Sequence, residues 1–198
     1  MDHITDIATL EAHYEATNPL SIQKVATRIT PLYRQWIEAT RFLVLSTVGP
    51  EGTDGSPRGD DDPVLRIADE RTLMLPDWRG NNRLDSLRNI VRDGRVSLML
   101  MVPGSATVVR VNGQAVLTPD PDLCASFAKK GIAPKTVIVI TLAELYFQCA
   151  KAIMRAQLWS APTADVPTAG QFLREQKDGF EAEAYDDGYA DYAKTRMW

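Results

Sequence analysis

The spacing of apolar residues changes along the chain, and the changes mark its elements. In residues 1–30 two short stripes fall at helical spacing, Ile4, Ile7 and Leu10, then Ile22, Val25 and Ile29, with Asn18-Pro19 breaking between them. Pro31 opens a third helix carrying Leu32, Trp36 and Ile37, since a proline in the first turn gives up an N–H that has no partner there. These helices are expected to lie against a larger body. From Arg41 the texture becomes that of strands: residues 42–48, then a run of turn formers over 49–55, then strand material at 64–67 and 72–75. Residues 95–102 read as a buried strand in which Leu98, Met99, Leu100 and Met101 are core. A long strand over 107–118 contains Gly113, where a bulge or sharp bend is expected. Residues 135–142 form a β-branched strand that runs on through 145–149 as extended chain.

Two helices interrupt the strands. Residues 76–93 turn through Pro76, Asp77 and Gly80 and enter a helix with Leu84, Leu87 and Val91 as its apolar face. Asn81 or Asn82 is the expected N-cap, its amide oxygen accepting from free N–H groups of the first turn, which puts Arg83 in or beside that turn. A second helix starts at Pro119-Asp-Pro-Asp122, with Leu123 and Phe127 facing inward, and stops at Gly131. About six antiparallel strands joined mostly by turns favour a small closed barrel, mainly β with flanking helices (α+β). A Rossmann sheet is excluded, because the strand–helix alternation and the glycine fingerprint are both missing. Beyond Ser160, Pro162 and Pro167 interrupt the chain. A short helix over 171–177 then precedes an acidic stretch, 178–191, carrying Phe180, Tyr185 and Tyr189. Aromatics at that density usually find a surface. The expected organisation is a helical extension (1–40), a barrel domain (41–159) and a tail (160–198) that packs on the barrel or on a partner.

Composition narrows the function. A net charge of −4 argues against a sequence-independent nucleic-acid binder, and no apolar run reaches membrane-spanning length. The start lacks the pattern of a signal peptide, and the two cysteines make neither a disulfide framework nor a zinc site, so a cytoplasmic location is expected. Cys149 reads as a small buried hydrophobe. The two histidines, His3 and His13, both fall in the leader, so no metal site and no histidine-based catalytic centre is expected. Any chemistry then rests with a cofactor, and no catalytic side chain can be named. A helix start bearing two asparagines and an arginine suits a phosphate monoester, through free N–H groups and the helix dipole.

The order of Ser56-Pro-Arg-Gly59, Gly80-Asn-Asn-Arg-Leu-Asp-Ser-Leu87, Arg110-Val-Asn-Gly113 and Tyr146-Phe-Gln-Cys-Ala-Lys-Ala152 resembles the pyridoxamine 5′-phosphate oxidase-like flavoproteins. These have the FMN-binding split β-barrel fold. The likeness runs from about Phe42 to Trp159 and is greatest to a bacterial branch of this length. The resemblance implies a homodimer with FMN in a groove between subunits. It assigns Arg58 on one strand, and Asn82 and Arg83 with Asn81 at the helix start, to the FMN phosphate. Pro76 and Asp77 match positions whose backbone lies along the flavin ring and ribityl chain. Arg110, Gln148 and Lys151 are implied to reach the flavin or its phosphate, some from the second subunit; for Lys151 a solvated helix face is equally compatible. The alternative for Arg58 is a salt bridge with Asp60, Asp61 or Asp62, and for Trp78 simple packing under a loop. The Arg-x-His pair with which the vitamin B6 oxidases hold their substrate is missing. Gln148 stands where the branch often has histidine. The implied function is therefore an FMN-dependent oxidoreductase acting on a small organic substrate other than pyridoxamine phosphate. A non-catalytic flavin or haem carrier or sensor, or a deazaflavin-dependent reductase, is the alternative on the same fold.

Overall fold

The computed structural model describes residues 1–198. Helices α1 (Ile7–Glu11), α2 (Pro19–Gln23) and α3 (Pro31–Ala39) lead into β1 (Phe42–Gly49), β2 (Gly52–Gly59), the two-residue β3 (Arg66–Ile67) and β4 (Thr72–Asp77). Then come α4 (Asp85–Arg92), β5 (Arg95–Met101), β6 (Val108–Thr118), α5 (Pro121–Ala125) and β7 (Thr136–Gln148). Helices α6 (Lys151–Ala156), α7 (Ala169–Gln176) and α8 (Ala182–Lys194) follow. No helix is long and apolar enough to cross a membrane.

All strand pairings are antiparallel, in the order β2-β1-β5-β6-β7-β4-β3. The fold is the split barrel with flanking helices, and it holds seven strands rather than six because Arg66 and Ile67 pair with Met74 and Leu73. The hydrogen-bonded ladder does not close, since β2 and β3 are its two edges. Much of the expected loop at 49–55 is strand. Only Pro50 and Glu51 turn between β1 and β2, and Gly52 follows at φ +128°, a conformation open to glycine. Pro57 is accommodated because β2 is an edge strand, where a missing N–H costs no second ladder.

One face of the sheet fills the interior. Leu43 and Leu45, Leu98 and Leu100, Val109 and Val111, Ile138 and Ile140, and Leu73 and Leu75 alternate inward and join a single cluster of nineteen buried apolar residues. Ile37 of α3 is fully buried in the same cluster. The period-two alternation corrects one expectation. Leu98 and Leu100 are core, but Met99 turns outward at 39% exposure, while Met101, of the same parity, is buried. Gly113 behaves as expected: the β6–β7 register shifts between Asn112 and Gly113. A Cβ at Gly113 would stand 2.3 Å from the Thr141 carbonyl oxygen, so the backbones touch there because no side chain intervenes. Strand β7 passes this bulge unbroken.

Helix α4 differs from its reading in two ways. It begins at Asp85, so Leu84 sits before it, and its buried residues are Ser86, Asn89 and Ile90 rather than Leu84 and Val91. The reason is polar packing against the β1–β2 hairpin. The Asn89 amide donates to the Thr47 hydroxyl at 3.1 Å and the Ser86 hydroxyl to the Asp54 carboxylate, which turns Val91 out to 74% exposure. The leader is also less attached than its stripes suggest. Helices α1 and α2 bury no residue, and pairing to the barrel starts at Ala26, which bridges to Leu145. Gly113→Ala is expected to lower the unfolding free energy by about 1–3 kcal/mol through overpacking, read as a reduced urea midpoint at unchanged m-value.

Candidate functional site

The gap left by the open ladder is bridged by side chains. Arg58 lies opposite Leu43 on the inward-facing side of β2, and Asp77 continues the inward row of Leu73 and Leu75 at the end of β4. Their charges meet with Arg58 Nη1 2.5 Å from Asp77 Oδ1, at 19% and 16% side-chain exposure. Two of the residues assigned to the cofactor therefore bind each other. The Asp60–Asp62 alternative for Arg58 is replaced by Asp77. Beside the pair, Arg58 Nε is buried without an acceptor, and so is the hydroxyl of Thr136, which stands directly across the ladder from Asp77. Pro76, next in β4, is buried.

A second link crosses the gap one step on. The Trp78 indole N–H donates to Asp60 Oδ2 at 3.0 Å, and the other Asp60 oxygen takes the Lys129 ammonium. Lys129 also meets Asp61 at 2.5 Å and Asp62 at 3.4 Å. Partial burial alone would lower the Lys129 pKa, but the three carboxylates outweigh it and hold the ammonium above its ordinary value. Lys129 is thus a fixed cation and unsuited to proton transfer. The Asp60 side chain is 3% exposed, so Trp78 is held by a buried carboxylate.

The approach to α4 forms the next group. Asn82 and Leu84 both have positive φ, +60° and +63°, and Leu84 occupies the N-cap with no side chain capping the helix. Neither asparagine is the cap. The Asn81 carboxamide oxygen instead accepts from the Arg83 N–H at 3.1 Å, an Asx turn that spends the amide before the helix starts. Arg83 is 76% exposed and rests on Asp85 at 2.9 Å. Together with Arg88 and Arg92 it borders a hollow of about 340 Å³ that has no apolar residue in its wall. The acids around it are occupied: Asp85 by Arg83, Glu51 by Arg92, and Asp54 by Ser86, which leaves Arg88 without an ion-pair partner.

The remaining assigned residues stand elsewhere. Arg110 is opposite Met99 and Tyr146 on the outer face of the sheet, its guanidinium carbon 5.5 Å from the Tyr146 ring centre. Gln148, opposite Val108, is exposed, and Lys151 is the exposed first residue of α6. Cys149 is exposed rather than buried, its sulfur accepting from the Lys151 N–H at 3.4 Å, while Cys124 is the buried thiol. A single chain brings Arg58, Pro76 and Asp77 together at the gap and Asn81–Arg83 at the helix approach, but leaves Arg110 and Gln148 on the outer face of the sheet and Lys151 at the exposed start of α6. The Trp78–Asp60–Lys129 link and Thr136 were not singled out from sequence. The run Asp60-Asp61-Asp62 was the available signal, since three adjacent carboxylates need a cation.

The family model described as pyridoxamine 5′-phosphate oxidase matches residues 29–149. The chain belongs to this flavin-binding family. Among solved structures, HupZ of Group A Streptococcus superposes with a TM-score of 0.50 at 17% identity, over 60% of this chain and 93% of that one. A candidate pyridoxamine 5′-phosphate oxidase of Lactobacillus delbrueckii gives 0.49 at 21% identity over 61% and 95%. An FMN-binding protein of Syntrophomonas wolfei gives 0.43 at 14% over 65% and 90%. At 17% identity the likeness to HupZ is one of fold. No curated protein matches the sequence significantly.

Removing one side of the buried pair leaves the other charge unpaired. Asp77→Leu is expected to cost about 3–5 kcal/mol, and the double variant Arg58→Met with Asp77→Leu to recover most of it. A denaturation double-mutant cycle measures the difference, and additive single effects would show that the pair does not hold the gap.

Proposed function

We propose that the protein is an FMN-binding flavoprotein in which two copies form the complete site, and that it acts as an oxidoreductase on a small organic substrate. The observation that carries this reading is the uncapped start of α4, entered through two left-handed residues and opening beside Arg83 and Arg88 on a wholly polar hollow. Free N–H groups at a helix start and arginine side chains are the donors a phosphate dianion needs. Arg83 is exposed enough to exchange Asp85 for a ligand oxygen. The residues fit the group at a second point: the orphaned Arg58 Nε and Thr136 hydroxyl offer buried polar atoms to the carbonyl and ring nitrogen edge of a flavin.

Bound flavin would supply hydride or electron transfer at N5. This chain's own residues would then position it. Pro76 and Asp77 fix the backbone along the gap, the Asp77 carboxylate holds Arg58 in place, and Trp78 forms a rigid wall. Placement supports the dimer. Arg110 and Gln148 lie on the outer face of the sheet, across from the gap, where Phe42 and Met99 are each 39% exposed, and Lys151 follows three residues after Gln148. A second copy packed on that face would bring them to the neighbour's site and cover its apolar surface. A non-catalytic carrier or sensor is the second reading. It is favoured by Lys129, which three carboxylates keep protonated and so remove as a base beside the gap.

Purified protein titrated with FMN should show perturbed flavin absorbance and saturable binding, and sedimentation should give a dimer. Arg83→Ala is expected to weaken FMN binding by roughly 1.5–3 kcal/mol, the range for a hydrogen bond to a charged group. Unchanged affinity would remove Arg83 from the site, and preference for a deazaflavin would reassign the cofactor. Turnover of a reduced nicotinamide donor with a quinone acceptor separates the enzyme from the carrier.

A further inference from the structure

Residues 162–168 adopt neither helix nor strand, and beyond them α7 and α8 fold on each other as a closed hairpin. Thr168 and Gln171 form a reciprocal capping box at the head of α7. Asp186 of α8 accepts from the Gly170 N–H at 2.8 Å and from the Thr168 hydroxyl, and Arg174 pairs with Glu183 at 2.7 Å. Gly170 lies so close to α8 that a Cβ would stand 2.4 Å from the Ala182 carbonyl oxygen. The hydrogen bonds and ion pairs of this hairpin are all spent within it. Its polar hold on the barrel comes at one residue, Trp198, whose ring lies 4.4 Å from the Lys130 ammonium and 5.5 Å from that of Lys129.

The seat of Trp198 is itself built. Lys129 and Ile132 exchange backbone hydrogen bonds around a two-residue turn, in which Lys130 and Gly131 both have positive φ, +51° and +80°. A lysine in the left-handed region is uncommon, and here it sets both ammonium groups beside one indole. Lys129 is also the cation that grips Asp60, and Asp60 holds the Trp78 indole next to the Arg58–Asp77 pair. One unbroken chain of contacts therefore runs from Trp198 to the gap in the barrel.

We propose that the α7–α8 hairpin is a lid hinged at residues 162–168, with Trp198 as its latch on the Lys129–Lys130 turn, and that the latch governs entry to and exit from the gap. The inference rests on the reading of the gap as the flavin site. Two cation–π contacts at a partly exposed position make a weak fastening, suited to opening and reclosing without disturbing the core. A lid of this kind regulates exchange of the bound group while leaving its contacts intact, so it changes rates in both directions and affinity little.

Two variants of the full-length chain test this, Trp198→Ala and Lys130→Ala, which spare the Lys129–Asp60 contact. Without cofactor, hydrogen exchange followed by mass spectrometry should show faster exchange at the 129–132 turn in both variants, with the strands of the barrel unaffected. With FMN bound, Trp198→Ala should release it roughly five- to thirtyfold faster, the factor expected when two cation–π contacts are lost, and Lys130→Ala roughly two- to fivefold faster, since one of the two remains, each at an equilibrium affinity within about twofold. Unchanged exchange at the turn would show that Trp198 is no latch. Faster exchange at the turn with unchanged FMN release would show a latch unconnected to the gap and overturn the proposal. A wild-type protein that binds no FMN, with the turn still protected by Trp198, would instead overturn the flavin reading and leave the latch standing.

Discussion

An ion pair does here what a strand ladder does in a closed barrel. Antiparallel pairing runs through seven strands and stops, leaving β2 and the β4–β3 edge to find each other without backbone hydrogen bonds. Arg58 and Asp77 meet across that opening with four-fifths or more of each side chain buried. A pair so placed is costly to desolvate, and a hydrophobic contact of the same shape would hold the edges at least as well. What the charges supply instead is a polar lining at the end of an apolar interior. The orphaned Arg58 Nε and Thr136 hydroxyl belong to the same lining, and such groups are retained where something other than stability selects them. The opening, its polar walls and the residues placed around it are one feature.

Much of the fold was legible in the sequence because burial on one face writes itself as alternation. The inward leucines of β1, β4 and β5 and the valines and isoleucines of β6 and β7 could be read directly, as could the bulge at Gly113, where a glycine interrupts a long strand. The failures have a common cause. Residues 49–55 look like a loop by composition, yet most of them pair with β1, since an edge strand needs only one good ladder. Met99 looked like core because apolar residues fill both parities of β5, and parity decides which side is inside. Helix α4 was read by its leucines and valine, whereas its inner face is held by hydrogen bonds from Ser86 and Asn89. An inner face that mixes Ile90 and Leu87 with polar groups leaves only a partial apolar stripe to detect.

The site divides in the same way. Arg58, Pro76 and Asp77 were named from motif order and the structure does bring them together, though Arg58 and Asp77 meet as partners. Asn81 or Asn82 is the cap that the sequence suggests, and local geometry uses both otherwise: Asn81 closes an Asx turn and Asn82 takes a left-handed conformation that asparagine tolerates. The link among Trp78, Asp60 and Lys129 escaped because it joins positions 60, 78 and 129, which no local pattern relates. Long-range polar contacts of this sort become visible when the chain is folded.

The close packing of α4 on the β1–β2 hairpin constrains how this protein can vary. A Cβ at Gly49 would fall 2.2 Å from the Asn89 side-chain oxygen, while Asn89 holds Thr47 and Ser86 holds Asp54. A side chain at position 49 would push the Asn89 carboxamide from its bond to Thr47, and a smaller residue at 89 would give up that bond as well. The hairpin and the helix therefore drift through sequence space as a unit. Because that unit carries both the strand bearing Arg58 and the approach bearing Arg83, the two ends of the proposed cofactor cradle keep their spacing even as the surfaces around them diverge.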